Sequence, residues 1–180
     1  MSKITNPKIF PSCSDLKDHL DKERAGKNIM TFATSGGFDP LHVGHLKCFQ
    51  HMRKLTRDSV LPGVVGKTII IINDDGFLKR KKGYAFMPNW ERAEIIAELE
   101  CVDYVTFWDD GTQIVSGALQ TLRPDFFCKG GDRNHSHNVP EFKVCEVIGC
   151  KVLFNIGGQK VQSSSMLVEN SKNGGKTYNI

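Results

Sequence analysis

The chain has 180 residues, 39% hydrophobic and 24% charged, with 24 Lys and Arg against 20 Asp and Glu and a net charge of +4. This composition is that of a soluble globular protein and excludes whole-chain disorder, and the length suits one domain burying about 70% of its unfolded surface. No run approaches the ~18 apolar residues that span a bilayer, and MSKITNPKIF lacks a signal peptide's apolar stretch, so a cytoplasmic protein without membrane contact is expected.

The basic excess is local. Lys79, Arg80, Lys81 and Lys82 are consecutive, and without them the charges balance at 20 each. Nucleic-acid binders spread positive charge over a face. One basic segment suits a small anionic ligand, so no nucleic-acid partner is expected. Cys13, Cys48, Cys101, Cys128, Cys145 and Cys150 form no C-x-x-C pair. Several lie in apolar runs and read as reduced, buried thiols, and no protein-held metal is expected.

Along the chain, residues 14–26 predict an amphipathic helix capped by Ser14, with Leu16 and Leu20 on one side. Ile29 to Thr34 is a first strand, followed by a Gly-rich turn and a helix from Val43 to Leu55. Lys67 to Asn73 carries four consecutive isoleucines, as a strand covered on both faces would. A helix from Pro88 to Glu100, a strand from Val102 to Trp108 and a helix from Thr112 to Leu122 follow. Asp125 to Cys128 is a strand, Pro140 to Ile148 a helix closed by Gly149, and Lys151 to Asn155 a fifth strand. A last helix starts near Ser164. Strands alternating with helices predict an α/β fold with a parallel sheet, its ligands at the carboxyl ends of the strands.

The strongest signal follows the first strand: Gly36-Gly37-Phe38-Asp39-Pro40-Leu41-His42-Val43-Gly44-His45. The glycines permit a tight turn, and His42 and His45, three apart at a helix start, project the same way. Helix N-termini attract anions, so two imidazoles there suit a polyphosphate; a capped helix with two surface histidines is the plainer alternative. Phe77 to Gly83 is either a solvated charge run or a mobile basic flap. Arg92 sits beside an apolar stripe and needs either a salt bridge or a phosphate. Lys129-Gly130-Gly131-Asp132 is a turn or a ligand loop, and Ser163-Ser164-Ser165 caps a helix, holds phosphate, or both. His135 and His137 read as surface-loop residues, and Trp90 and Trp108 as packing residues.

The His42-Val43-Gly44-His45 segment resembles the H-x-G-H signature of the nucleotidylyltransferase superfamily. Further motifs, in order over roughly residues 12–170, resemble bacterial heptose-1-phosphate adenylyltransferase domains. They are Arg24-Ala25-Gly26-Lys27, Asn73-Asp74-Asp75, Lys82-Gly83, Pro88 with Glu91-Arg92, Val102-Asp103, Arg123-Pro124-Asp125, Lys129 to Asp132, and Ser163 to Ser165. The resemblance implies a Rossmann-like fold of about five parallel strands in a single domain. Residues 1–28 would be an N-terminal extension with a helix, 29–170 the nucleotidylyltransferase domain and 171–180 a flexible tail.

The implied reaction moves a nucleoside monophosphate, AMP from ATP, to a sugar phosphate such as a heptose 1-phosphate and releases pyrophosphate. Mg²⁺ comes with the triphosphate, and homodimers are frequent in the family. By the same resemblance, His42, His45, Lys82 and Arg92 serve catalysis. Lys82, with Lys79 as the second choice, and Arg92 hold the acceptor phosphate. Gly36, Gly37, Phe38, Asp39, His42, Gly44, His45, Lys129, Gly130, Gly131, Asp132 and Ser163 to Ser165 contact the nucleotide. Two rivals remain. A cytidylyltransferase using CTP and glycerol 3-phosphate would carry an Arg- or Lys-Thr-Glu-Gly element before the final serines, which this chain lacks. A non-catalytic nucleotide-binding module would release no pyrophosphate.

Overall fold

The computed structural model describes residues 6–58, 60–130, 139–159 and 162–172. The described elements run β1 (Ile9–Phe10), α1 (Cys13–Arg24), β2 (Asn28–Gly36), α2 (Val43–Asp58), β3 (Val64–Asn73), α3 (Asp75–Lys82) and α4 (Asn89–Ala97). They continue with β4 (Tyr104–Trp108), α5 (Ser116–Leu122), β5 (Phe126–Gly130), α6 (Phe142–Ile148), β6 (Lys151–Ile156) and α7 (Ser164–Lys172). Six parallel strands form one sheet in the order β1-β4-β3-β2-β5-β6.

β3 shows why the sheet is covered on both faces. Its four isoleucines are fully buried and alternate between two cores. Ile69 and Ile71 join Leu16 and Leu20 of α1 with Leu119 and Leu122 of α5. Ile70 and Ile72 join Phe49 and Met52 of α2 with Ala93 and Ile96 of α4. The six cysteines are free, buried thiols, as expected.

Several elements differ from the sequence expectation, each for a local reason. The sheet has six strands rather than about five, because two-residue β1, too short for periodicity, pairs with Val105 and Thr106. The segment before residue 29 therefore adds a strand and a packed helix to this sheet. Ser12, not Ser14, caps α1 by accepting the Asp15 N–H at 3.1 Å. β3 starts three residues early; Gly66 interrupts its apolar pattern because a side chain there would meet the Thr56 carbonyl of α2. α5 starts late, since Asp110 captures the Thr112 N–H and hydroxyl and turns the chain first.

The basic flap is in fact helical. α3 is capped by Asp74, ends at left-handed Gly83 (φ 85°) and carries Lys79 to Lys82 in its last turn, where cations suit the helix dipole. Lys129 and Gly130 end β5 instead of forming a loop after it. Trp90 is 44% exposed and does not pack as expected. Gly131, Asp132, His135, His137 and residues 173–180 lie outside the described residues. No described helix is long and apolar enough to cross a membrane.

Candidate active site

After β2 the chain builds outward through β3 and β4, then returns to the other side of β2 with β5 and β6. The strand order thus switches between β2 and β5, where open α/β sheets bind ligands. A cavity of about 510 Å³ lies there, at the carboxyl ends of the strands. Thr34, Ser35 and Gly36 of β2 form its centre, with the turn through Gly37, Phe38 and Asp39 and then His42, Gly44 and His45 above them. One half is walled by Asn73 and by Phe77, Leu78, Lys81 and Lys82 of α3. The other is walled by Gly130, Ile156, Gly157 and Ser163 to Ser165.

The two histidines form one unit. Their rings stack with centroids 3.7 Å apart. The His45 Nδ1 accepts the His42 N–H at 3.3 Å, and the His42 Nδ1 accepts the Gly44 N–H at 3.1 Å. An Nδ1 that accepts carries no proton, so each neutral ring bears its hydrogen on Nε2. Burial, reinforced by the neighbouring His42, pushes the His45 pKa down to about 3. Phe38, at φ 50°, seats its ring edge-on to His45 and Phe49 and fixes the turn to α2.

Asp39 is buried and is occupied by the protein itself. Its carboxylate accepts the Phe86 and Met87 N–H groups at 2.7 Å each and the Lys82 ammonium at 2.9 Å. Lys82 also donates to the Asp39 carbonyl at 2.9 Å and lies 4.5 Å over the Tyr84 ring. The H-x-G-H turn is thereby tied to the end of α3 and the start of α4.

Arg92 is 1% exposed and stands outside the cavity lining. Its guanidinium donates to the carbonyls of Met87 (3.0 Å), Gly37 (2.6 Å) and Asn73 (2.9 Å) and to Asp75 (2.5 Å). Of the two readings the sequence left open, the geometry takes the internal salt bridge over the acceptor phosphate. Lys79 is exposed and off the cavity, whereas Lys81 lines it. Lys129 is not among the residues that line the cavity, and its ammonium lies 3.2 Å from Glu141, which does line it.

The three serines divide their tasks. Ser163 caps α7 by accepting the Met166 N–H at 3.2 Å, and Ser164 donates to the Pro40 carbonyl at 2.9 Å. The preceding turn needs glycine at Gly157: φ is 88°, and a Cβ there would sit 2.8 Å from the Cys48 backbone nitrogen. Sequence reasoning gave no role to Asn73, Gln113 or Glu141 and named Lys81 only as part of the basic flap; all four line the cavity. Asn73 sat inside a quoted motif, and Pro140 preceding Glu141 marked a helix start. Gln113 carried no signal.

A family model described as cytidylyltransferase-like matches residues 33–167. The bifunctional protein HldE of Syntrophotalea carbinolica is 38% identical over 120 residues, 65% of this chain and 22% of that protein. The HldE of Geotalea uraniireducens is 38% identical over 128 residues, covering 70% and 22%, and that of Hahella chejuensis is 32% identical over 146 residues, covering 80% and 26%. The chain therefore spans about a quarter of the length of these relatives. The crystal structure of the lipopolysaccharide core biosynthesis protein from Thermoplasma volcanium superposes with a TM-score of 0.58 at 19% identity, over 73% of this chain and 98% of that one, so the two share a fold. The family match takes in the turn, both histidines and the serines, and on that ground the protein belongs to the cytidylyltransferase-like family.

Proposed function

We propose that the protein transfers a nucleoside monophosphate, AMP from ATP, to a sugar phosphate such as a heptose 1-phosphate, with release of pyrophosphate. The observation that carries this reading is the stacked His42–His45 pair, fixed by backbone N–H groups over a two-sided cavity at the switch point. An oxygen of the acceptor phosphate attacks the α-phosphorus. The new P–O bond forms there as the bond from the α-phosphorus to the β-bridging oxygen breaks, and pyrophosphate carries away the electron pair. The nucleophile is already anionic and needs no general base, so catalysis is positioning and charge stabilisation.

Each residue has a task in this scheme. His42 and His45 offer their Nε2 side to the α-phosphate oxygens and the leaving pyrophosphate. The glycine turn and the start of α7 take the triphosphate, since first-turn N–H groups and the helix dipole favour anions. Lys81 and Lys82 take the acceptor phosphate, and Arg92 holds Gly37 and Asn73 in place for both. Mg²⁺ accompanies the triphosphate. The Asp39 carboxylate is filled by three N–H donors, and the described residues contain no group of three His, Cys, Asp or Glu placed to hold a metal. When bound with the triphosphate, the ion would supply positive charge to the phosphate oxygens.

The test is pyrophosphate release from ATP and from CTP, separately, with Mg²⁺ and a panel of sugar 1-phosphates, glycerol 3-phosphate and nicotinamide mononucleotide. Release with ATP and a sugar 1-phosphate, abolished in His42→Ala, supports the reading. Release with CTP alone replaces it with a cytidylyltransferase. Nucleotide binding without release under any combination overturns transfer in favour of a binding module.

A further inference from the structure

The last residue of β3 has a side-chain oxygen that no described residue answers. Asn73 is 6% exposed and lines the cavity, yet its Oδ1 is buried with no hydrogen-bond partner among the described residues. Its main chain is held in place: the carbonyl accepts from Arg92 at 2.9 Å, and the residue pairs with Trp108 of β4. A buried, unpaired amide oxygen is costly and calls for an explanation, and a functional role is one such explanation at a site wall.

We propose that Asn73 determines acceptor specificity by hydrogen-bonding a hydroxyl of the phosphorylated acceptor. This rests on the transferase reading above. Asn73 lies in the α3 half of the cavity with Phe77, Leu78, Lys81 and Lys82, away from the Gly157–Ser163 half. The two lysines answer a phosphate but cannot distinguish one phosphate ester from another. An amide offers both an acceptor and donors and matches a hydroxyl of either polarity. Being neutral, it does not repel the phosphate as a carboxylate would. Phe77 and Leu78, which line the same half of the cavity, carry no polar side-chain atom, so an acceptor without that hydroxyl forgoes the bond that answers the amide and is used less well. The acceptor is therefore a phosphorylated polyol or sugar, not a simple phosphate ester.

The experiment compares wild type with Asn73→Leu on the sugar 1-phosphate that wild type uses and on its monodeoxy analogues. The substitution lowers kcat/KM for the acceptor about 10- to 100-fold through its KM, and the KM for ATP moves less than about twofold. One deoxy analogue is poor with wild type and suffers no further loss with Asn73→Leu. Asn73→Ala, which adds no bulk, serves if leucine disturbs the strand end, and a melting curve verifies folding. An unchanged acceptor kcat/KM, an equal loss on every analogue, or a loss confined to the KM for ATP overturns the assignment while leaving the transferase reading intact. No pyrophosphate from wild type with any acceptor overturns both.

Discussion

At the scale of single residues, the site is built from groups whose polar atoms the fold already engages. Burial holds the His45 imidazole neutral far below its ordinary range, and its Nδ1 accepts a backbone N–H. The unfolded chain binds that proton near pH 6.5, whereas the folded chain resists it until about pH 3. Between those values the unfolded state holds more protons, so this histidine removes stability as pH falls from about 6.5 toward 3. His45→Gln lacks that titration, and its melting temperature should drop less between pH 7 and pH 4 than wild type's. Equal drops would show that His45 is protonated in the fold. Asp39 is engaged through its hydrogen bonds instead. Asp39→Ala strips the Lys82 ammonium and two backbone N–H groups of their partner at once. A loss of about 3 kcal/mol or more is expected in urea unfolding, the usual scale for breaking a buried ion pair from one side. A change under 1 kcal/mol would mean that Lys82 and the loop at Phe86 find water instead.

At the scale of elements, legibility tracked the strength of the local pattern. The run from Ile69 to Ile72 announced a doubly covered strand, and Gly149 marked the end of α6 where a left-handed cap stands at φ 76°. β1 has two residues and owes its pairing to β4, so nothing local betrays it. α3 was hidden because its charge run drew attention from its caps, Asp74 and Gly83. Arg92 was the hardest case. Its place on an apolar stripe showed that it needed a partner, but only the fold reveals that the carbonyls of Gly37 and Asn73, from two different strand ends, supply one. Arg92 thus fastens α4 to the turn after β2 and to the end of β3. Arg92→Met keeps the bulk and removes the fork, so it should cost about 3–5 kcal/mol in denaturant unfolding, leaving Asp75 and the carbonyls unanswered. Full stability with a loss confined to the acceptor KM would instead make Arg92 a phosphate ligand.

At the scale of the whole molecule, the strand order places one cavity across two half-sites with the histidine pair between them. That arrangement bears on the order of chemical events. A covalent nucleotidyl-enzyme would need a nucleophile in the cavity wall, and the thiol and the imidazoles there are poor ones. Cys48 lines the cavity, but burial pushes its thiol up to about 11, so at pH 7 it is no thiolate. His42 and His45 use their Nδ1 lone pairs on backbone N–H groups, which leaves the proton on Nε2 and no lone pair for attack. In the proposed reaction the acceptor would therefore reach the α-phosphorus directly, with both substrates bound together. Initial-rate measurements with both substrates varied should give intersecting double-reciprocal lines. Labelled pyrophosphate should exchange into ATP only when the nucleotidyl product or the acceptor is present. Parallel lines, or exchange with ATP alone, would require a covalent intermediate on this chain.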